Sequence, residues 1–156
     1  MKRLQCEFGG VYCLLRRMPN ARKEVELAVR LGNEPGSLGG VLSVVAKENV
    51  NILAYCSYSD RIETVVLLVT DNAFLAKRAL ESSGYVCRAN SVVVVGATDH
   101  VGGAALLGAR LGHAGIDILY SYASSSGSSK FCAVFKTSDD QRALAVLDTS
   151  AAVRAA

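Results

Sequence analysis

Asn33-Glu34-Pro35-Gly36-Ser37-Leu38 is the stretch of this sequence best suited to hold a small anion. It separates a β-rich run from a run with helical periodicity, so it opens a helix. The first backbone N–H groups of a helix have no partner within it and point outward, with the positive end of the helix dipole behind them. A carboxylate fits in front of such a turn. Gly36 lets a ligand approach the backbone closely, and the Asn33 carboxamide offers both a donor and an acceptor. The same residues also make an ordinary helix-opening turn with no ligand at all, and the stretch alone favours that plainer reading.

The turn recurs. The segment Val25–Ser59 returns about 66 positions later as Ser91–Ser125, with Gly36 matching Gly102, Asn51 matching Asp117, Ile52 matching Ile118 and Leu53 matching Leu119. The second turn is Asp99-His100-Val101-Gly102-Gly103, without the proline. Each copy also places a carboxamide or carboxylate after its first helix, Asn51 and Asp117, just before the isoleucine that opens the next strand. Both residue types equally suit helix termination. In the expected topology the turn and the start of that strand need not meet within a copy, and an interface between copies would bring them together. A period of this length is too long for a solenoid unit and suits a duplicated small domain.

The elements that carry these residues follow from hydrophobic spacing. Residues 25–31 alternate as a first strand, and 38–48 form a helix with Leu38, Val41, Leu42, Val45 and Ala46 on one face. Residues 52–59 and 62–70 are strands joined at Asp60-Arg61. Asp71 or Asn72 caps a second helix, with Phe74, Leu75, Ala79 and Leu80 inward, which Gly84 ends. A short fourth strand spans 85–89. The order β-α-β-β-α-β is a split βαβ unit of the ferredoxin-like type. The second copy repeats it with strand 91–97, turn 98–103, helix 104–114, strand 116–124, a Ser/Gly turn at 125–129, strand 130–137 and helix 139–147. Its alanine-rich tail offers no clear fourth strand, which predicts an exposed sheet edge in need of cover. The expected fold class is α+β, with two ferredoxin-like βαββαβ modules in tandem, residues 25–90 and 91–156. Their antiparallel sheets join side by side, with helices mainly on one face.

Composition narrows the function. The 156 residues are 51% hydrophobic, enough to fill a core, and no apolar run is long enough to cross a bilayer. Five cysteines with no CxxC pair argue against a disulfide framework or a zinc site, and predict reduced thiols in the cytoplasm. His100 and His113 have no third ligand at metal-binding spacing, and no serine or cysteine sits in a nucleophile motif. GSLGG and VGG lack the spacing of a dinucleotide fingerprint. The chain is therefore expected to be no enzyme and to need no cofactor.

The formal charge of +3 gathers at one end: residues 1–24 hold six basic and two acidic residues, so the rest sums to −1. Nucleic acid is thus not an expected partner, and neither is a membrane. Residues 1–24 are expected to form a mobile arm, a weak extra strand, or an overlong translation start ahead of Met18. The strand Lys130–Lys136 shares an aromatic pattern with RNA-recognition modules, but Phe131 and Phe135 are better explained as core residues under helices. Tyr120 and Tyr122 share a strand face, suited to an interface or a ligand.

The strand, the N-x-P-G-x-L turn, the helix and the following V-N-I-L strand together resemble the ACT domain, the small-molecule sensing module of amino-acid metabolism. The resemblance spans roughly residues 25–95 and 91–150. In the second copy it is clearer in the strand GIDILYSYAS than in the turn, where His100 and Val101 replace Glu34 and Pro35. It implies a tandem ACT protein with no attached catalytic domain, binding a free amino acid between one copy's turn and a neighbouring domain. Carried over residue by residue, Asn33, Pro35, Gly36, Ser37 and Leu38 would form a ligand loop bordered by Asn51 and Ile52. Gly102, Gly103, Asp117 and Ile118 would be their counterparts. The small modules and their sheet edges suggest a homodimer. A regulatory subunit of a biosynthetic enzyme, such as the acetolactate synthase small subunit, is the alternative, although the second copy argues against that example. An interaction scaffold with degenerate sites is a third.

Overall fold

The computed structural model describes residues 21–126 and 130–148. Within them lie β1 (Ala21–Gly32), α1 (Ser37–Lys47), β2 (Ile52–Ser59), β3 (Glu63–Thr70) and α2 (Ala73–Ser82). Then follow β4 (Val86–Thr98), α3 (Gly103–His113), β5 (Ile118–Ser125), β6 (Lys130–Thr137) and α4 (Asp140–Leu147). The strands form one sheet in the order β2-β3-β1-β4-β6-β5, antiparallel at every step. The class is α+β.

Two kinds of helix start follow from local sequence. The Asn72 carboxamide accepts a 3.0 Å hydrogen bond from the Leu75 N–H, and the Asp139 carboxylate does the same for Arg142. These caps satisfy orphan donors of the first turns of α2 and α4. α1 and α3 have no side-chain cap; Gly36 and Gly102 open them at φ 90° and 86°, a conformation costly for other residues.

Alternation along the strands sorts the core. Leu27 and Val29 of β1 and Val66 and Leu68 of β3 lie under Val41 and Val45 of α1 and Ala76 and Leu80 of α2. Val93 and Val95 of β4 and Ala133 and Phe135 of β6 lie under Leu107 and Leu111 of α3 and Ala143 and Leu147 of α4. All four helices therefore cover the same face, and each buried leucine contributes about 1.5–3 kcal/mol. On the other face Val69, Val92, Val94 and Val134 form a smaller cluster without a helix. The sheet curls over this cluster, so side chains of β5 reach β1 across β6 and β4.

The register departs from the expected boundaries. Two separate strands at 85–89 and 91–97 were expected; β4 is one continuous strand, and the expected boundary between residues 90 and 91 falls inside it. β1 begins at Ala21 rather than Val25, so residues 21–24, expected to belong to an arm, lie in the sheet. Val25 pairs with Ser91, the residue 66 positions on, and pairing runs outward from there in both directions, Ala21 with Val95 and Arg30 with Val86. The first part of β1 thus lies beside the second half of β4, the edge expected to be bare. The chemical reason is the valine run 92–95, which is buried on both faces and needs a hydrogen-bonding neighbour on each side. Phe74, expected inward, is 78% exposed, and Ala76 takes the core position instead. The expectations for residues 1–20, for 127–129 of the Ser/Gly turn and for the tail after residue 148 lie outside the described residues.

Candidate ligand sites at the two glycine turns

The first turn is braced by its own side chains. Asn33 donates from its carboxamide nitrogen to the Asp60 carbonyl at 2.8 Å, and its carboxamide oxygen accepts from the Thr64 hydroxyl at 3.3 Å. The Asn33 N–H donates to the Ile62 carbonyl at 3.1 Å. The carboxamide expected to meet a ligand is thus engaged in tying the turn to the β2–β3 hairpin. The Ser37 hydroxyl likewise donates to the Gly32 carbonyl at 3.0 Å. The hairpin is itself fixed by Asp60, whose Oδ1 accepts from the Ile62 and Glu63 N–H groups, both at 2.7 Å. Those backbone donors, Glu63 first and then Ile62, hold the Asp60 carboxyl below its ordinary range. What remains to face a ligand is backbone: the first turn of α1 at Leu38, reached past exposed Pro35 and Gly36. A Cβ on Gly36 would meet nothing within 4 Å, so the approach is open.

The second turn has a cavity beneath it. An open cleft of about 250 Å³ lies between Thr98–Gly103, α3 and the helix-covered face of the sheet, with Arg110, Phe131 and Leu147 in its walls. The His100 ring packs against Gly103, where an added Cβ would lie 3.2 Å from Cε1. Asp99 is held by the Ser125 hydroxyl. Gly102 matches Gly36 in conformation and open surroundings.

Asn51 and Asp117 are placed alike. The Asn51 N–H donates to Asp71 Oδ1 at 3.0 Å, and its carbonyl accepts from the Asp71 N–H at 3.0 Å. The Asp117 N–H donates to the Ser138 hydroxyl at 3.1 Å, and its carbonyl accepts from the Ser138 N–H at 2.9 Å. Neither lies beside the turn of its own copy. Gly32, before the first turn, pairs with Glu63 at one end of β3, whereas Ile52 pairs with Thr70 at the other. That separation is about 23 Å at 3.3 Å per residue. Through β3 and β1, Ile52 is level with Val25 and Ser91, so it stands as far along the strands from the second turn, beyond Thr98, as from the first, beyond Gly32. Ile118, paired with Thr137, lies at the same middle level and is likewise far from both turns.

On the helix-free face Tyr120 and Tyr122, singled out in the sequence, meet Glu26, which was not. Glu26 of β1 is fully buried, and its carboxylate accepts from the Tyr122 hydroxyl at 2.9 Å and from the Tyr120 hydroxyl. Burial first, and then the Glu26 carboxylate, push both tyrosine hydroxyls well above their ordinary range. Glu26 alternates with Arg22 and Glu24 and so looks like a solvent-facing residue. The signal that this face is covered is the unbroken valine run of the neighbouring strand β4.

The fold has counterparts among solved structures. Protein BT0572 from Bacteroides thetaiotaomicron superposes with a TM-score of 0.76 at 24% identity, over 85% of this chain and 91% of that one. The aspartokinase alpha and beta subunits superpose at 0.57 and 19% identity, over 85% of this chain and 97% of that chain. The ligand-free regulatory subunit of aspartate kinase from Thermus thermophilus superposes at 0.58 and 13%, over 81% and 93%. The fold is the one these chains share. No protein-family model and no curated protein sequence matches the chain. No helix among the described residues is long and apolar enough to cross a membrane, and no group of three or more His, Cys, Asp or Glu among them is placed to hold a metal.

Proposed function

We propose that this chain is a non-catalytic regulatory protein, a tandem ACT-type sensor that binds a free amino acid or similar small carboxylate at its glycine turns. The observation that carries the reading is the cavity under the second turn. It has the size of a small metabolite, opens beside a left-handed glycine at a helix start, and has Arg110 and His100 in its wall. An arginine fork and outward N–H groups both suit a carboxylate. The fold shared with an aspartate kinase regulatory subunit supports a regulatory role. Asn51 and Asp117 stand away from both turns, which supports a second copy of the chain completing each site, with ligand favouring one arrangement of the two.

A thermal-unfolding panel of the twenty amino acids tests this. A ligand at about 100 times its dissociation constant adds roughly 2.7 kcal/mol, which raises the melting temperature by several degrees. One responsive amino acid, with the response lost in Arg110→Ala, supports the sensor. A flat panel from folded protein rejects it. The second reading is a regulatory subunit of a biosynthetic enzyme, again supported by the aspartate kinase likeness. Co-purification of a large enzyme subunit with the tagged chain would favour it, and a scaffold would instead show partners without any ligand response.

A further inference from the structure

The helix-free face holds a second cavity, unconnected with the turns: a groove of about 580 Å³ between the two edge strands, β2 and β5. Its origin is a break in the repeat. The 66-residue offset matches Ala54 with Tyr120 and Cys56 with Tyr122, and it matches Glu26 with Val92. On β5 the two tyrosines reach inward and are pinned by their hydroxyls to Glu26. On β2 the matching side chains are small, and the matching anchor is a valine. The half that carries small residues leaves space, and the half that carries tyrosines supplies a fixed aromatic wall. Val134 forms part of the floor, and Ser57 and Ser124 stand at the sides.

We infer that this groove is a binding site for a neutral, planar ring compound carrying hydrogen-bonding groups at its rim. The volume lies within the range of about 300–1,000 Å³ usual for small-ligand sites. No lining side chain carries a formal charge, so an ionic ligand would lose its hydration without a partner. A pinned tyrosine ring offers a stacking surface that needs no ordering on binding. Both walls are sheet edges, which present backbone donors and acceptors in alternation to the rim of a flat ligand. The site is independent of the turns and of the reading given for them.

Indole and nicotinamide are suitable probes. The chain contains no tryptophan, so indole can be excited selectively at wavelengths where the six tyrosines absorb little. The expected result is saturable binding of at least one probe, with amide shift changes centred on Ala54, Ser57, Ser124 and Val134. Cys56→Tyr places on β2 the side chain that β5 has at the matching position, and is expected to weaken binding roughly tenfold or more, about 1.4 kcal/mol. Where that variant does not fold, the shift map of the unaltered protein decides. Absence of saturation with both probes, or shift changes centred on the glycine turns, would overturn the assignment. Binding that survives in folded Cys56→Tyr would overturn it as well.

Discussion

Tyr122, on the outermost strand β5, donates a 2.9 Å hydrogen bond to the carboxylate of Glu26 on β1, three strands away in the sheet. Tyr120 donates to the other oxygen. Among the described residues no lysine or arginine pairs with Glu26, so two hydroxyls take the place of its hydration. A buried carboxylate stripped of its donors is far more costly than an apolar group of the same shape.

Tyr120→Phe with Tyr122→Phe should therefore destabilise the protein by about 3–5 kcal/mol. Adding Glu26→Leu to the double variant should recover most of that loss, because the uncompensated charge is gone. Urea unfolding of the wild type and the two variants measures both steps. A triple variant no more stable than the double would show that the carboxylate is not the source of the cost.

The same tyrosines govern behaviour in alkali. Their hydroxyls titrate above the ordinary value of 10.0, chiefly because they are buried and then because Glu26 lies against them. A raised value means that the folded state keeps a proton which the unfolded chain releases. The contribution is whole below about pH 10 and is lost as pH rises beyond it, at up to about 1.4 kcal/mol per pH unit for Tyr122 and less for the more solvent-screened Tyr120. Unfolding free energies measured between neutral pH and pH 11 should fall more steeply in the wild type than in the double phenylalanine variant. Equal slopes would contradict the arrangement.

Two glycines of one turn should respond to alanine with opposite signs. Gly36 sits at φ 90°, and Gly36→Ala should cost about 1–2 kcal/mol through backbone strain. Gly39 lies in the exposed first turn of α1, where an added Cβ meets nothing within 4 Å. Gly39→Ala should stabilise by about 0.4–1 kcal/mol. A pair of thermal melts settles the signs, and the first loses its meaning if both variants shift the same way.

Cys87 is 8% exposed, and burial, with Glu81 adding to it and Lys77 opposing, pushes its thiol up to about 11. Iodoacetamide at pH 8 should reach it only as fast as the protein opens, and the rate should climb with added urea. Labelling at the speed of an unprotected thiol would mean that α2 does not close over it.

Much of the fold was legible because its signals are local. The helix starts follow from Asn72, Asp139 and the two glycines, and β2 and β6 have the bounds that alternation predicts. What was not legible depends on partners distant in sequence. The joining of two short strands into β4, and the extension of β1 back to Ala21, come from pairing across 66 residues, which no window of sequence contains. The buried role of Glu26 depends on curl, and curl depends on tyrosines almost a hundred positions away. At the turns, the glycines were legible from their type, whereas the use of Asn33 as a brace needed Asp60 and Thr64 beside it.

The Val25–Ser91 pairing bears on how the chain comes to be folded. β1 needs β4 along most of its length, and β4 needs the opening residues of β1, so neither half of the repeat is finished without the other. During synthesis the first β-α-β-β-α segment must wait until β4 has emerged before its inner strand is paired on both sides. Contacts so far apart in sequence slow folding and make it cooperative. A chain cut between Gly84 and Val86 should give two fragments that are unstructured alone and that regain the sheet only when mixed.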